Sequence, residues 1–131
     1  MNLPLHLGFL GALEAGLIAF VIGLLCFAGW QWLCRRAGWS VGHAIGWACV
    51  LAVAIGAGLD AWNLFYLGVM RLESPLYARL ALQGIHDAES LGARVICEVA
   101  GALAGVALGW HWFSRETAGG NAPQTGEKTD A

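Results

Sequence analysis

Charged residues are scarce in this chain, and their scarcity limits the class of protein it can be. Asp, Glu, Lys and Arg make up 12% of the 131 residues, whereas a soluble domain averages about 25%. Hydrophobic residues account for 58%, and the mean hydropathy is +0.62. These few charged residues cannot cover a water-facing surface. Much of the surface must therefore face lipid. The net charge of −2 and the lack of a basic block argue against a nucleic-acid partner.

The chain also lacks the short motifs that identify common enzymes. It contains no G-x-S-x-G, no H-E-x-x-H, no P-loop and no G-x-G-x-x-G. Its cysteines form no C-x-x-C pair, so we interpret them as small buried apolar residues rather than redox or metal ligands. They are Cys26, Cys34, Cys49 and Cys97. We therefore predict a protein that is not an enzyme and has no bound metal or other cofactor.

Three long apolar runs divide the first 113 residues. They cover about residues 5–33, 41–72 and 91–113, and each exceeds the ~20 helical residues that cross a hydrocarbon core. No Lys or Arg precedes the first run, which is also longer than a signal peptide, so we expect it to stay in the mature protein. The sequence thus predicts an all-α membrane protein, a small helical bundle with three transmembrane helices in one domain over residues 1–113.

Two further segments differ from these runs. Ser74-Pro75 is typical of a helix start, and polar residues then recur at helical spacing opposite an apolar face. This pattern predicts one short amphipathic helix over about residues 75–88, between the second and third spans and too charged to cross the membrane. Residues 114–131 hold almost nothing apolar, so we predict a disordered polar cytoplasmic tail.

Positive charges next to the runs predict the orientation. Arg35 and Arg36 follow the first run, and Arg115 follows the third. Because Lys and Arg collect on the cytoplasmic side, we expect an external N-terminus and a cytoplasmic C-terminus in the cell inner (plasma) membrane. Arg71, Arg79 and Arg94 lie nearer the opposite side and weaken this inference. Most of the tryptophans fall at the proposed inner interface and support it.

Small residues recur every four positions in three places. They are Gly8, Ala12 and Gly16, then Gly42 and Gly46, then Gly101, Gly105 and Gly109. Small side chains let helices approach closely in lipid, where no hydrophobic force drives helices together. Either the three helices pack tightly within one chain, or one stripe faces outward and binds another subunit.

An acidic residue lies within each predicted span. The three are Glu14, Asp60 and Glu98, and a charge at membrane depth costs roughly 2.5–3.5 kcal/mol on insertion scales. One interpretation is a polar pocket of Glu14, Asp60, Asn63 and Glu98, with Arg94 at its rim, that binds a cation or passes a proton. The other is structural: Arg94 and Arg71 neutralise the acids, and the cluster fixes the register of the helices.

Two histidines near the inner ends of spans raise a separate hypothesis. His43 lies on the second run and His111 on the third, at similar depth. If the rings faced each other they could bind a haem axially. Both positions also suit an ordinary interfacial histidine, which is the interpretation we favour.

These features predict an accessory or assembly subunit that packs against a larger membrane complex. Its expected partners are the lipid bilayer and other membrane protein subunits or further copies of itself. The alternatives are a small oligomeric transporter or channel that uses the intramembrane acids for ion or proton coupling, and a phage-type holin. Three spans suit a holin, but residues 114–131 lack the strongly basic tail usual in that class.

Overall fold

The computed structural model of the chain describes residues 5–69 and 90–119 and, between them, the isolated positions Pro75, Leu76, Arg79 and Gln83. The described residues contain no strand and form three long helices. They are α1 (Phe9–Ala37), α2 (Val41–Val69) and α3 (Leu91–Gly119), each of 29 residues. Each helix is long and apolar enough to cross a membrane, since 29 residues extend roughly 43 Å at 1.5 Å per residue.

Glycines set both ends of α1. Gly8 has φ of 76° and precedes the first helical residue, and Gly38 has φ of 70° just after the last. These positive φ angles suit glycine, because a side chain would be strained there. The Trp39 N–H donates to the Cys34 carbonyl oxygen at 3.0 Å, which closes the end of the helix. The three residues 38–40 then lead directly into α2.

The prediction of three long apolar helices is confirmed, with shifted ends. α1 begins four residues later than predicted and continues to Ala37. α3 continues past the predicted end at residue 113 to Gly119, so the first six residues of the predicted tail are helical. In this last turn the Thr117 hydroxyl donates to the carbonyl oxygens of Phe113 and Ser114. The predicted amphipathic helix lies outside the described residues except at the four isolated positions, and residues 120–131 also lie outside them.

Small side chains fill the interior of the bundle, and large apolar ones lie outside it. Most of the buried apolar residues are alanines, with Phe27, Leu91 and Val106 the largest. Leu17 and Leu25, by contrast, are 68% and 67% exposed. This arrangement is expected where lipid surrounds the helices, because large apolar side chains are at ease in lipid and small ones allow close contact. It supports the membrane location that the helix lengths indicate.

α1 and α3 form the most extensive helix pair, and glycines make their close approach possible. A methyl group at Gly101 would overlap the Gly16 carbonyl oxygen, and one at Gly105 would overlap the Phe20 carbonyl oxygen. Contacting positions advance in the same direction along both helices, so α1 and α3 run parallel. α2 packs less extensively against each of them.

Candidate functional site

One face of α2 ends in a buried carboxyl group. Ala44, Ala48, Ala52, Gly56 and Asp60 are four residues apart and are all buried. The four small residues bring the backbone of α2 close to its neighbours. Asp60 therefore enters the interior of the bundle, where it is 0% exposed.

α3 contributes Arg94 and Glu98, one turn apart on its buried face, and these are 1% and 0% exposed. Arg94 Nη2 lies 3.3 Å from Asp60 Oδ2. The Glu98 carboxyl group lies near enough to Asp60 to interact with it electrostatically. We call Asp60, Arg94 and Glu98 the buried polar cluster. It links α2 to α3 across an apolar interior, where the low dielectric constant strengthens attraction between opposite charges.

The buried polar cluster contains three of the five residues of the predicted pocket. Asp60, Glu98 and Arg94 come together, and Arg94 lies inside the cluster rather than at a rim. Asn63 lies about one turn beyond Asp60 on α2 and is half-buried. Arg71, the other predicted neutralising cation, lies outside the described residues.

Glu14, the fifth predicted pocket residue, contacts His6. Its carboxylate accepts a hydrogen bond from the His6 backbone N–H at 3.2 Å, and Oε1 lies 2.7 Å from the His6 ring Nδ1. Gly8 reverses the chain before α1, and a methyl group at Gly11 would overlap the His6 carbonyl oxygen. The two glycines thus allow residues 5–8 to fold back along the helix, which the spacing of His6 and Glu14 did not reveal.

The two haem candidates, His43 and His111, both lie exposed on the surface of their helices. His43 Nδ1 lies 2.9 Å from the Ser40 hydroxyl, and its ring is 6.2 Å from that of Trp39. Among the described residues no group of three or more His, Cys, Asp or Glu side chains is arranged to hold a metal ion. The bundle interior therefore does not enclose these two rings.

The predicted small-residue stripes divide between the inside and the outside of the bundle. Gly101, Gly105 and Gly109 of α3 all face α1, and a methyl group at Gly109 would come within 2.9 Å of the Phe27 ring. An added methyl group at Gly46 would meet nothing within 4 Å, and one at Gly42 only the nearby Ser40. The α3 stripe therefore packs within the chain, and the Gly42–Gly46 stripe faces away from it. In the first predicted stripe Ala12 is buried, and Gly16 packs against Cys97 of α3.

α2 carries a second outward feature nearer its C-terminal end. Ala54, Gly58, Trp62 and Phe65 lie on one side of the helix, and we call them the aromatic patch. The Trp62 and Phe65 rings pack against each other with centroids 5.9 Å apart, yet the residues are 63% and 60% exposed. An added methyl group at Gly58 would meet nothing within 4 Å. None of the predicted stripes includes this patch, although the helical spacing from Gly46 through Ala54 and Gly58 was the available signal.

Comparison with protein-family models, with curated proteins and with solved structures found no match.

Proposed function

We propose that the chain is a non-enzymatic, multi-pass protein of the cell inner (plasma) membrane and acts as an accessory or assembly subunit. It packs against a larger membrane complex through the aromatic patch of α2. The main observation in favour is that two large aromatic side chains are exposed beside two small residues. They lie on α2, which packs least extensively of the three helices.

The shape of the aromatic patch favours a helix of another membrane protein as the partner. Ala54 and Gly58 add little bulk to this side of the helix, and Gly58 has open space around it, so the backbone of a facing helix could approach closely. Trp62 and Phe65 stand beside these small residues, and aromatic side chains dominate the energy of many protein interfaces. Scattered large apolar residues are ordinary on a lipid-facing surface, but two aromatic rings in contact beside a glycine give this surface a defined shape.

The orientation we propose has the N-terminus outside and the C-terminus in the cytoplasm. Arg35 and Arg36 occupy the last turn of α1, and Arg115 lies near the end of α3. Since α1 and α3 are parallel, all three arginines lie at one end of the bundle. Positive residues favour the cytoplasmic side. The aromatic patch and the buried polar cluster then lie in the outer half of the membrane.

A photo-crosslinking side chain in place of Trp62 tests the accessory role in intact membranes. We expect position 62 to form an adduct with a second membrane protein, and Leu25 of α1 to serve as the lipid-facing control. Gly58→Leu should abolish that adduct, while the thermal stability of the purified chain stays unchanged because Gly58 has open space around it. Equal adducts at positions 62 and 25, or an adduct that survives Gly58→Leu, would contradict the proposal.

Ion- or proton-coupled transport is the second candidate function, and the buried polar cluster favours it. Intramembrane ionisable residues commonly mark ion pathways and proton relays. Asp60 and Glu98 place two carboxyl groups in the same buried cluster, and carboxyl groups of this kind serve in the proton relays of membrane pumps and transporters.

Glu98→Gln separates transport from a structural role. In a transporter this change should abolish ion flux into vesicles that contain the purified chain and leave its thermal stability nearly unchanged. If the cluster is structural, Glu98→Gln should lower the thermal stability. Neither the wild-type chain nor the variant should then show ion flux. Arg36→Gln, a charge change outside the cluster, serves as the control.

A further inference from the structure

Two adjoining grooves lie where α1 ends and α2 begins. One, of about 330 Å³, is lined by Trp39, Ser40, His43 and Trp47. The other, of about 410 Å³, is lined by Gly42, His43, Gly46, Trp47 and Val50. Because they share His43 and Trp47, we treat them as one surface, the interfacial groove. It lies at the opposite end of α2 from the aromatic patch.

Ser40 and His43 line the half of the groove nearest the turn between α1 and α2. This pair offers a hydrogen-bond donor whichever of its atoms carry the hydrogens. If the Ser40 hydroxyl donates to His43 Nδ1, a neutral imidazole carries its hydrogen on Nε2 and can donate from there. If Nδ1–H donates to Ser40, the hydroxyl hydrogen is free to donate elsewhere. A protonated imidazole donates from both nitrogens. This half of the groove therefore suits an anionic oxygen.

The other half of the groove is apolar and long. Gly42, Gly46 and Val50 form its floor, and the two glycines contribute no bulk. From Gly42 to Val50 the helix rises about 12 Å toward the membrane interior. The Trp47 ring forms one wall and packs against Trp30 with ring centroids 6.0 Å apart. An extended hydrocarbon chain fits such a surface.

The charge at this end of the bundle is complementary to an anion. Arg35 and Arg36 occupy the last turn of α1, and residues 15–59 contain no Asp or Glu. Arg36 lies over the Trp32 ring at 4.5 Å, and Arg35 lies over the Phe113 ring of α3 at 5.8 Å. α3 brings Arg115 and Glu116 to the same end, and these two charges cancel. The positive potential of Arg35 and Arg36 therefore remains.

We propose that the interfacial groove binds one anionic phospholipid. Its phosphate accepts hydrogen bonds from the Ser40–His43 pair in the field of Arg35 and Arg36, and one acyl chain lies along Gly42, Gly46 and Val50. Basic, tryptophan-flanked sites at the membrane interface are chemically suited to such headgroups. This inference does not depend on the proposed accessory role, because it uses the other half of α2.

Native mass spectrometry of the full chain in mild detergent tests the proposal. With phosphatidylglycerol and phosphatidylcholine supplied in equal amounts, we expect the chain to retain one phosphatidylglycerol. Ser40→Ala combined with His43→Phe should reduce retention roughly tenfold, the scale of a lost hydrogen bond to a charged group. Gly46→Leu should reduce it by filling the apolar half. Gly29→Leu, which places leucine at a glycine on α1 with equally open space, should not change it.

Several outcomes would overturn the proposal. Equal retention of the two lipids would exclude recognition of the anionic headgroup. Displacement by millimolar inorganic phosphate would indicate a simple anion site without the acyl chain. A wild-type dimer that Gly46→Leu converts to monomer, with lipid retention unchanged, would assign the groove to a second copy of the chain. If Gly46→Leu does not fold, unchanged retention in the Ser40/His43 double variant would still exclude the site.

Discussion

Arg94 of α3 and Asp60 of α2 form an ion pair in the interior of the bundle, with Nη2 and Oδ2 3.3 Å apart and both side chains 1% exposed. The sequence suggested that Arg94 neutralises the intramembrane acids, and its nearest acid along the chain is Glu98, one turn later on the same helix. The observed pair instead joins two helices. It therefore fixes the register of α3 against α2, which a contact within α3 could not do.

Asp60→Asn should destabilise the bundle strongly, because it leaves Arg94 buried without that charge partner. Breaking a buried ion pair from one side costs roughly 3–5 kcal/mol. Adding Arg94→Gln to Asp60→Asn should recover part of the loss, since the buried cation is then gone. The free energy of unfolding in mild detergent measures both effects. Glu14→Gln is the control and should cost less, about 1 kcal/mol, because the His6 and Glu14 side chains are 70% and 33% exposed rather than fully buried. Equal losses for Asp60→Asn and Glu14→Gln would contradict a structural ion pair.

Gly105→Ala should already destabilise the chain, because the added methyl group would overlap the Phe20 carbonyl oxygen. Overpacking of this kind costs roughly 1–3 kcal/mol, and Gly105→Leu should prevent stable folding after insertion. Gly29→Ala, on the open side of α1, should leave stability unchanged or slightly raised. Thermal unfolding of the three purified variants measures the difference. A fully stable Gly105→Leu protein would show that α1 and α3 separate easily.

Topology reporters fused at Gly120 and at Ser74 should give opposite results. Three spans with Arg35, Arg36 and Arg115 on the cytoplasmic side put position 120 inside and position 74 outside. A phosphatase active only outside and a fluorescent protein active only inside provide the measurement. Finding both positions on one side would eliminate the three-span topology.

Truncation after Gly119 should leave insertion and thermal stability unchanged, because residues 120–131 have almost no apolar surface to bury. Truncation after Phe113 removes the final turns of α3, including the Thr117 hydrogen bonds, and should lower stability slightly. A large loss of thermal stability after truncation at Gly119 would mean that residues 120–131 dock on the bundle.

The three long apolar helices could be predicted because apolar length is a local property of the sequence. Their ends were less certain. The end of α1 depends on the left-handed Gly38, and the extension of α3 to Gly119 depends on ordinary helix formers in a polar segment. The apolar content of the sequence predicts neither of these two helix ends. Ser114 begins a polar segment, but polarity alone does not end a helix.

The candidate site was predictable only in part. The free-energy cost of placing an acid in lipid identified Asp60 and Glu98 as candidates. Both side chains are buried in the bundle, which agrees with that reasoning. Glu14 satisfied the same criterion, yet its partner is His6, because the fold-back at Gly8 and Gly11 places a histidine beside it. The choice between the internal glycines of α3 and the outward Gly42 and Gly46 depends on how each helix is rotated. Four-residue spacing does not contain that information.

The parallel contact of α1 with α3 has a consequence for how the chain is made. The two helices that touch most extensively are separated in sequence by all of α2, so α1 leaves the ribosome long before the surface that its Gly16 and Gly23 will meet. Asp60 likewise enters the translocation machinery more than thirty residues before Arg94. Until α3 emerges, a nascent hairpin of α1 and α2 carries an acid whose ion-pair partner has not been synthesised. Release of α2 into lipid is therefore expected to wait for α3, so that insertion of the last helix completes the assembly of all three.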